Sequence, residues 1–124
     1  MLSQHVATSS TETLSELSKQ IQLLDIEHLA NPHFVRQTRY LFRVALIELT
    51  ANLTDSALML IVNNGYSYPR LIEELIENIQ QLDMVVCRAS IRASIYLKVP
   101  PKLLIRLNTI SNVSLRILAD LHKL

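Results

Sequence analysis

Glycine is almost missing from this sequence: Gly65 is the only one in 124 residues. A glycine-rich loop that lets backbone amides cradle phosphate is therefore excluded. Cysteine is equally scarce. Cys87 stands alone, so no intrachain disulfide can staple the fold, which suits a reducing compartment and an expected cytoplasmic location. Tryptophan is absent, and Phe34, Phe42, Tyr40, Tyr66, Tyr68 and Tyr96 are the only aromatics, too few for a broad base-stacking platform. No apolar run approaches the roughly 18 residues of a membrane span; the longest, Ala57 to Val62, is far shorter. Met1-Leu2-Ser3-Gln4-His5 lacks the charged-then-apolar layout of a secretory leader, so none is expected.

What remains is aliphatic. Hydrophobic residues make up 49% of the chain and mean hydropathy is +0.23. Without a membrane segment to absorb it, an excess of this kind points to a subunit interface and hence to a homo-oligomer. The length is that of one domain, and no composition break divides it.

The few breaks fall at helix boundaries. Residues 1–8 carry no periodicity and are expected to be disordered, leaving 9–124 as the folded domain. Ser9-Ser10-Thr11-Glu12 and Thr13-x-x-Glu16 are capping-box patterns that open a first helix. Leu14, Leu17, Ile21, Leu24, Ile26 and Leu29 supply its apolar stripe. Asn31-Pro32 reads as an N-cap followed by proline in the first helical position, and the second helix is predicted from Pro32 to Val62. Asn63-Asn64-Gly65 ends it with residues that tolerate the left-handed C-cap conformation. A third helix runs from Ser67-Tyr68-Pro69 to about Leu97, and a fourth from Pro101 to Leu121. Short turns make consecutive helices antiparallel neighbours, so the expected fold is an all-α, antiparallel up-down four-helix bundle.

Few chemical groups gather on this frame. His5, His28, His33 and His122 lack metal-ligand spacing; His28 and His33, five apart, miss a common helical face. Cys87 sits in an aliphatic stretch with no histidine near it in sequence, as a small core residue does. Glu73, Glu74 and Glu77 are accounted for by a solvated helix start. No cofactor and no catalytic residue is expected. Arg116 and His122 resemble the arginine-histidine spacing of the HEPN ribonucleases. That resemblance implies a proton-moving histidine and a phosphate-stabilising arginine, and it forms an alternative reading. A helical adaptor without a nucleic-acid role is another.

Charge is the more informative feature. Net charge is only +1, but the signs are segregated. From Met84 to Ala119 there is no acid, yet Arg88, Arg92, Lys98, Lys102, Arg106 and Arg116 all lie there. A second acid-free window, His28 to Ile47, holds Arg36, Arg39 and Arg43, which share one helical face at about 100° per residue. Arg88 and Arg92, four apart, are neighbours on another face; Lys102, Arg106 and Arg116 lie on one side of the last helix. Such faces match a phosphate backbone, and the preference for arginine suits two-pronged phosphate contact. Candidate nucleic-acid contacts are accordingly Arg88 and Arg92, supported by Arg36, Arg39, Arg43, Lys98, Lys102 and Arg106. Pairing of these cations with acids of neighbouring helices is the competing explanation.

Three passages also carry a family resemblance. They are Leu58-Met59-Leu60-Ile61-Val62-Asn63-Asn64-Gly65-Tyr66-Ser67, Leu82-Asp83-Met84-Val85-Val86-Cys87-Arg88-Ala89-Ser90-Ile91-Arg92, and Tyr96-Leu97-Lys98-Val99 leading into Leu103 to Leu118. Together, Leu46 to Leu118 resembles the accessory variability determinant proteins of diversity-generating retroelements and the related S23-type four-helix proteins. The resemblance implies a non-catalytic, barrel-like homo-oligomer, pentameric in the family. It also implies a reverse transcriptase as partner and RNA or DNA held during mutagenic retrohoming.

Overall fold

The structure, a computed structural model, describes residues 2–56, 62–63, 66–96 and 98–123, with side chains described at 12–54, 68–96 and 98–123. Among the described residues the chain is all-α in class: five helices pack together. They are α1 (Leu2–Gln22), α2 (Ile26–Leu29), α3 (Pro32–Ser56), α4 (Tyr68–Tyr96) and α5 (Pro101–Lys123).

Helix α1 begins ahead of the caps at residues 9–13, since no proline or glycine precedes them to stop a helix extending towards the N-terminus. It ends sooner than its apolar stripe suggested. The amides of Leu23 and Leu24 donate to the carbonyls of Gln20 and Ile21 at 3.1 and 3.2 Å, tightening the last turn. Asp25 then adopts an extended conformation (φ −135°, ψ 173°), and its carboxylate accepts the amide of His28 at 2.8 Å. That cap starts the separate one-turn helix α2, so Ile26 and Leu29 do not belong to α1. Asn31 repeats the device for α3: its side-chain oxygen accepts the amides of His33 at 3.0 Å and Phe34 at 3.4 Å.

The expected run of the second helix to Val62 is corrected. Val62–Asn63 (β1) instead pairs antiparallel with Tyr66–Ser67 (β2), Val62 opposite Ser67 and Asn63 opposite Tyr66. Val and Tyr favour extended backbone, and a two-residue bridge leaves them no place in a helix. The expected cap at Asn64 and Gly65 lies outside the described residues.

Helix α4 is the centre of the molecule, packing on α3 on one side and α5 on the other, while α1 packs on α3 and α5 and α2 lies against α3 and α4. Its core face repeats at three and four: Leu71, Ile72, Leu75, Ile79, Leu82, Val86, Ala89 and Ala93 are buried. Against them lie Leu17 and Ile21 of α1, Phe42 and Leu49 of α3, and Leu107, Ile117 and Leu118 of α5. One buried polar group ties α1 to α3: Gln20 donates its amide to the hydroxyl of Thr38 at 2.7 Å. Among the described residues, no helix is long and apolar enough to cross a membrane.

Candidate nucleic-acid interface

The turn between α4 and α5 positions the charged residues. Val99 is buried and anchors the connection; Pro100 offers its carbonyl to the amides of Leu103 and Leu104 at 3.0 and 3.1 Å. Pro101, with no amide hydrogen of its own, opens α5. The chain therefore folds back sharply, and the basic end of α4 comes to lie beside the basic start of α5.

The result is an open groove of about 500 Å³ lined by Arg88, Arg92, Pro100, Lys102, Leu103 and Arg106. Two arginines come from α4, and a lysine and an arginine from α5, each pair spaced one helical turn. All four are solvent-exposed. Among the described residues none of them takes part in an ion pair; the pairs formed are Lys19 with Glu16, Arg39 with Asp83, Arg70 with Glu74 and the His28–Asp25 contact. The first turn of α5 contains no acid but does contain Lys102, where the positive end of the helix dipole favours an anion. Four unpaired cations beside a helix N-terminus repel one another until a polyanion enters. The guanidinium of Arg92 also lies over the ring of Tyr96, 5.6 Å from its centroid.

The other candidates lie elsewhere. Lys98 is exposed in the α4–α5 connection but does not line the groove. Arg36 and Arg43 are exposed on α3, on the same stripe as exposed Tyr40 and Ile47. Arg39 points to α4 instead and forms a two-pronged bridge to Asp83, at 3.0 Å from Nε and 3.3 Å from Nη2. That hydrogen bond raises the arginine's pKa further and commits the side chain to packing two helices. Arg116 is exposed on α5. His122 lines a different groove, about 660 Å³, between α1 and α5 with Leu14, Ser18, Lys19, Leu115 and Leu118. Arg116 is not part of that groove's wall, so the two side chains do not converge on it. Glu73, Glu74 and Glu77 cluster with Arg70 near the start of α4. Cys87 is half-buried with a free thiol. Among the described residues, no group of three or more His, Cys, Asp or Glu side chains is placed to hold a metal.

Helical spacing pairs Arg88 with Arg92 and groups Lys102 and Arg106 with Arg116, which does not line the groove; it does not join the α4 and α5 faces, because their meeting depends on how tightly the turn at Val99-Pro100 folds. Sequence reasoning missed Tyr96, whose signal was present: it follows Arg92 by four residues, one turn on the same face. No protein-family model, curated protein or solved structure matches this chain.

Proposed function

We propose that this chain is a non-catalytic, oligomeric accessory protein that holds the phosphate backbone of a nucleic acid in the α4–α5 groove. One observation carries the reading: Arg88, Arg92, Lys102 and Arg106 converge from two helices on a single groove, without an acidic partner among the described residues. Arginine forks bind phosphate through two parallel hydrogen bonds, and a surface that only needed solubility would intersperse both signs. Helices α1, α3, α4 and α5 form the antiparallel four-helix bundle in this reading, and the exposed aliphatic side chains become subunit contacts. The resemblance of Leu46 to Leu118 to accessory variability determinants supplies the setting: a reverse transcriptase as protein partner and RNA or cDNA as the bound strand. Lys98, exposed in the α4–α5 connection, extends the contact surface; Arg36 and Arg43 lie on α3, away from the groove, and Arg39 is structural.

The test is a salt titration of binding to fluorescent single-stranded RNA and DNA. Affinity should fall linearly in log–log form, by about 0.7 per phosphate contact. Changing Arg88 and Arg92 to Gln should flatten the slope by about 1.4 and weaken all sequences alike. Absence of binding by the wild type at low salt would sink the reading in favour of a plain scaffold.

A further inference from the structure

We infer that the groove selects single-stranded nucleic acid, and that Tyr96 is the stacking platform on which it takes a base. The inference rests on the phosphate-binding reading above and names its substrate class. Tyr96 is the last residue of α4, beside the groove wall formed by Arg88 and Arg92. The residue is 64% exposed although its side chain is large and mostly apolar. The Arg92 guanidinium lies over the ring at 5.6 Å, which restricts the ring's freedom while most of its surface stays open to solvent. A tyrosine held in this way loses little conformational entropy when a base stacks on it.

The groove lies between two packed helices, whose axes are ordinarily about 8–10 Å apart. Its exposed cations can meet the phosphates of either a strand or a duplex, so the choice between them falls to Tyr96. In a duplex the base faces are already stacked on each other, so a tyrosine has nothing to receive. In a single strand they are free, and stacking on an aromatic ring tolerates any sequence. With the backbone charge held by four cations, one base held on Tyr96 favours unpaired strands.

The experiment compares binding of single-stranded DNA, the matching duplex and inorganic polyphosphate by the wild type and by Tyr96→Ala, Tyr96→Leu and Tyr96→Phe, with helicity checked by circular dichroism. Expected for the wild type is tighter binding of the single strand than of the duplex at equal phosphate concentration. Tyr96→Ala and Tyr96→Leu should each lose about 5- to 150-fold on the single strand and leave polyphosphate binding unchanged, whereas Tyr96→Phe should retain wild-type affinity. The leucine variant keeps helix propensity and bulk, so it decides the matter even where alanine perturbs the end of α4. Unchanged single-strand affinity in folded Tyr96→Leu, or equal binding of duplex and single strand, would overturn the role of Tyr96 while the phosphate groove stands. Failure of the wild type to bind any of the three polyanions would overturn both.

Discussion

Arg39 and Asp83, 44 residues apart in sequence, are joined by a two-pronged ion pair that crosses from α3 to α4. The two side chains are 46% and 29% exposed, so solvent screens the attraction. A partly exposed pair of this geometry contributes on the order of 0.5–1 kcal/mol. A double-mutant cycle with Arg39→Ala and Asp83→Ala should return a coupling of that size in urea unfolding. Arg39→Lys should recover only part, because an ammonium cannot match both carboxylate oxygens. Nucleic-acid affinity should barely change, which separates Arg39 from Arg88 and Arg92. A loss of binding equal to that of the Arg88 variant would place Arg39 in the interface after all.

The core makes a larger and simpler prediction. Leu82 and Val86 are fully buried on α4, and Leu107 is buried on α5 where it faces the same interior. Truncation to alanine should cost roughly 2–4 kcal/mol at each leucine and somewhat less at the valine, the loss combining transfer energy with the cavity left behind. Chemical denaturation at unchanged m-value is the measurement. Near-neutral effects at all three would mean that α4 does not pack as described.

These positions were legible in sequence because a helix that buries one face must repeat its aliphatics every three to four residues. Asn31, Pro32 and Pro101 were legible for a similar reason: capping and proline geometry are local. The break at Asp25 is not evident in the sequence, although Asp25 and His28 hold the spacing of an N-cap acceptor and the amide that donates to it. The apolar stripe from Leu14 to Leu29 is continuous in sequence but not in structure: Leu17 and Ile21 are buried on α1, Leu24 in the connection and Leu29 on α2, while Ile26 is 42% exposed. The pairing of Val62 with Ser67 competed with a helix-compatible aliphatic run and needed the partner strand to be recognised. Site geometry was the least legible. Arg36, Arg39 and Arg43 share a face by periodicity, yet one is captured by an acid on a distant element.

The Asp25 cap makes stability sensitive to acid. Its carboxyl is held below the ordinary carboxylate value, chiefly by the amide hydrogen bond from His28, with the His28 ring nitrogen adding to it and burial opposing. A depressed carboxyl stabilises the fold above its unfolded pKa of about 3.9, and that contribution is lost as pH falls through the lower folded value. Asp25→Asn should therefore remove part of the stability change below about pH 4, while keeping the cap, since asparagine serves equally well there. Asp25→Ala should cost about 1 kcal/mol at neutral pH. Thermal unfolding of the three proteins at neutral and acid pH checks both; identical acid sensitivity in Asp25→Asn would remove the cap as its source.

Self-association should follow from the aliphatic side chains that the fold leaves outside. Tyr40 and Ile47 are seven residues apart on the outer face of α3; Met84, Ile91 and Ile95 repeat at seven and four on the outer face of α4. Each is at least half exposed, and a stable interface covering them would bury about 1,000 Å² or more. Light scattering should report a mass several times 14.1 kDa that persists on dilution to micromolar. Ile47→Lys with Met84→Lys should lower it to the protomer mass without loss of helicity, since exposed substitutions move fold stability by no more than about 0.5 kcal/mol. Neither residue lines the α4–α5 groove, so the dissociated protein should still bind a short oligonucleotide with wild-type affinity. A long strand spanning several grooves should bind the dissociated protein far more weakly than the assembly, because linked sites raise effective concentration and a lone protomer has none to link. A wild type that is already monomeric would leave the exposed aliphatics without an explanation in self-association.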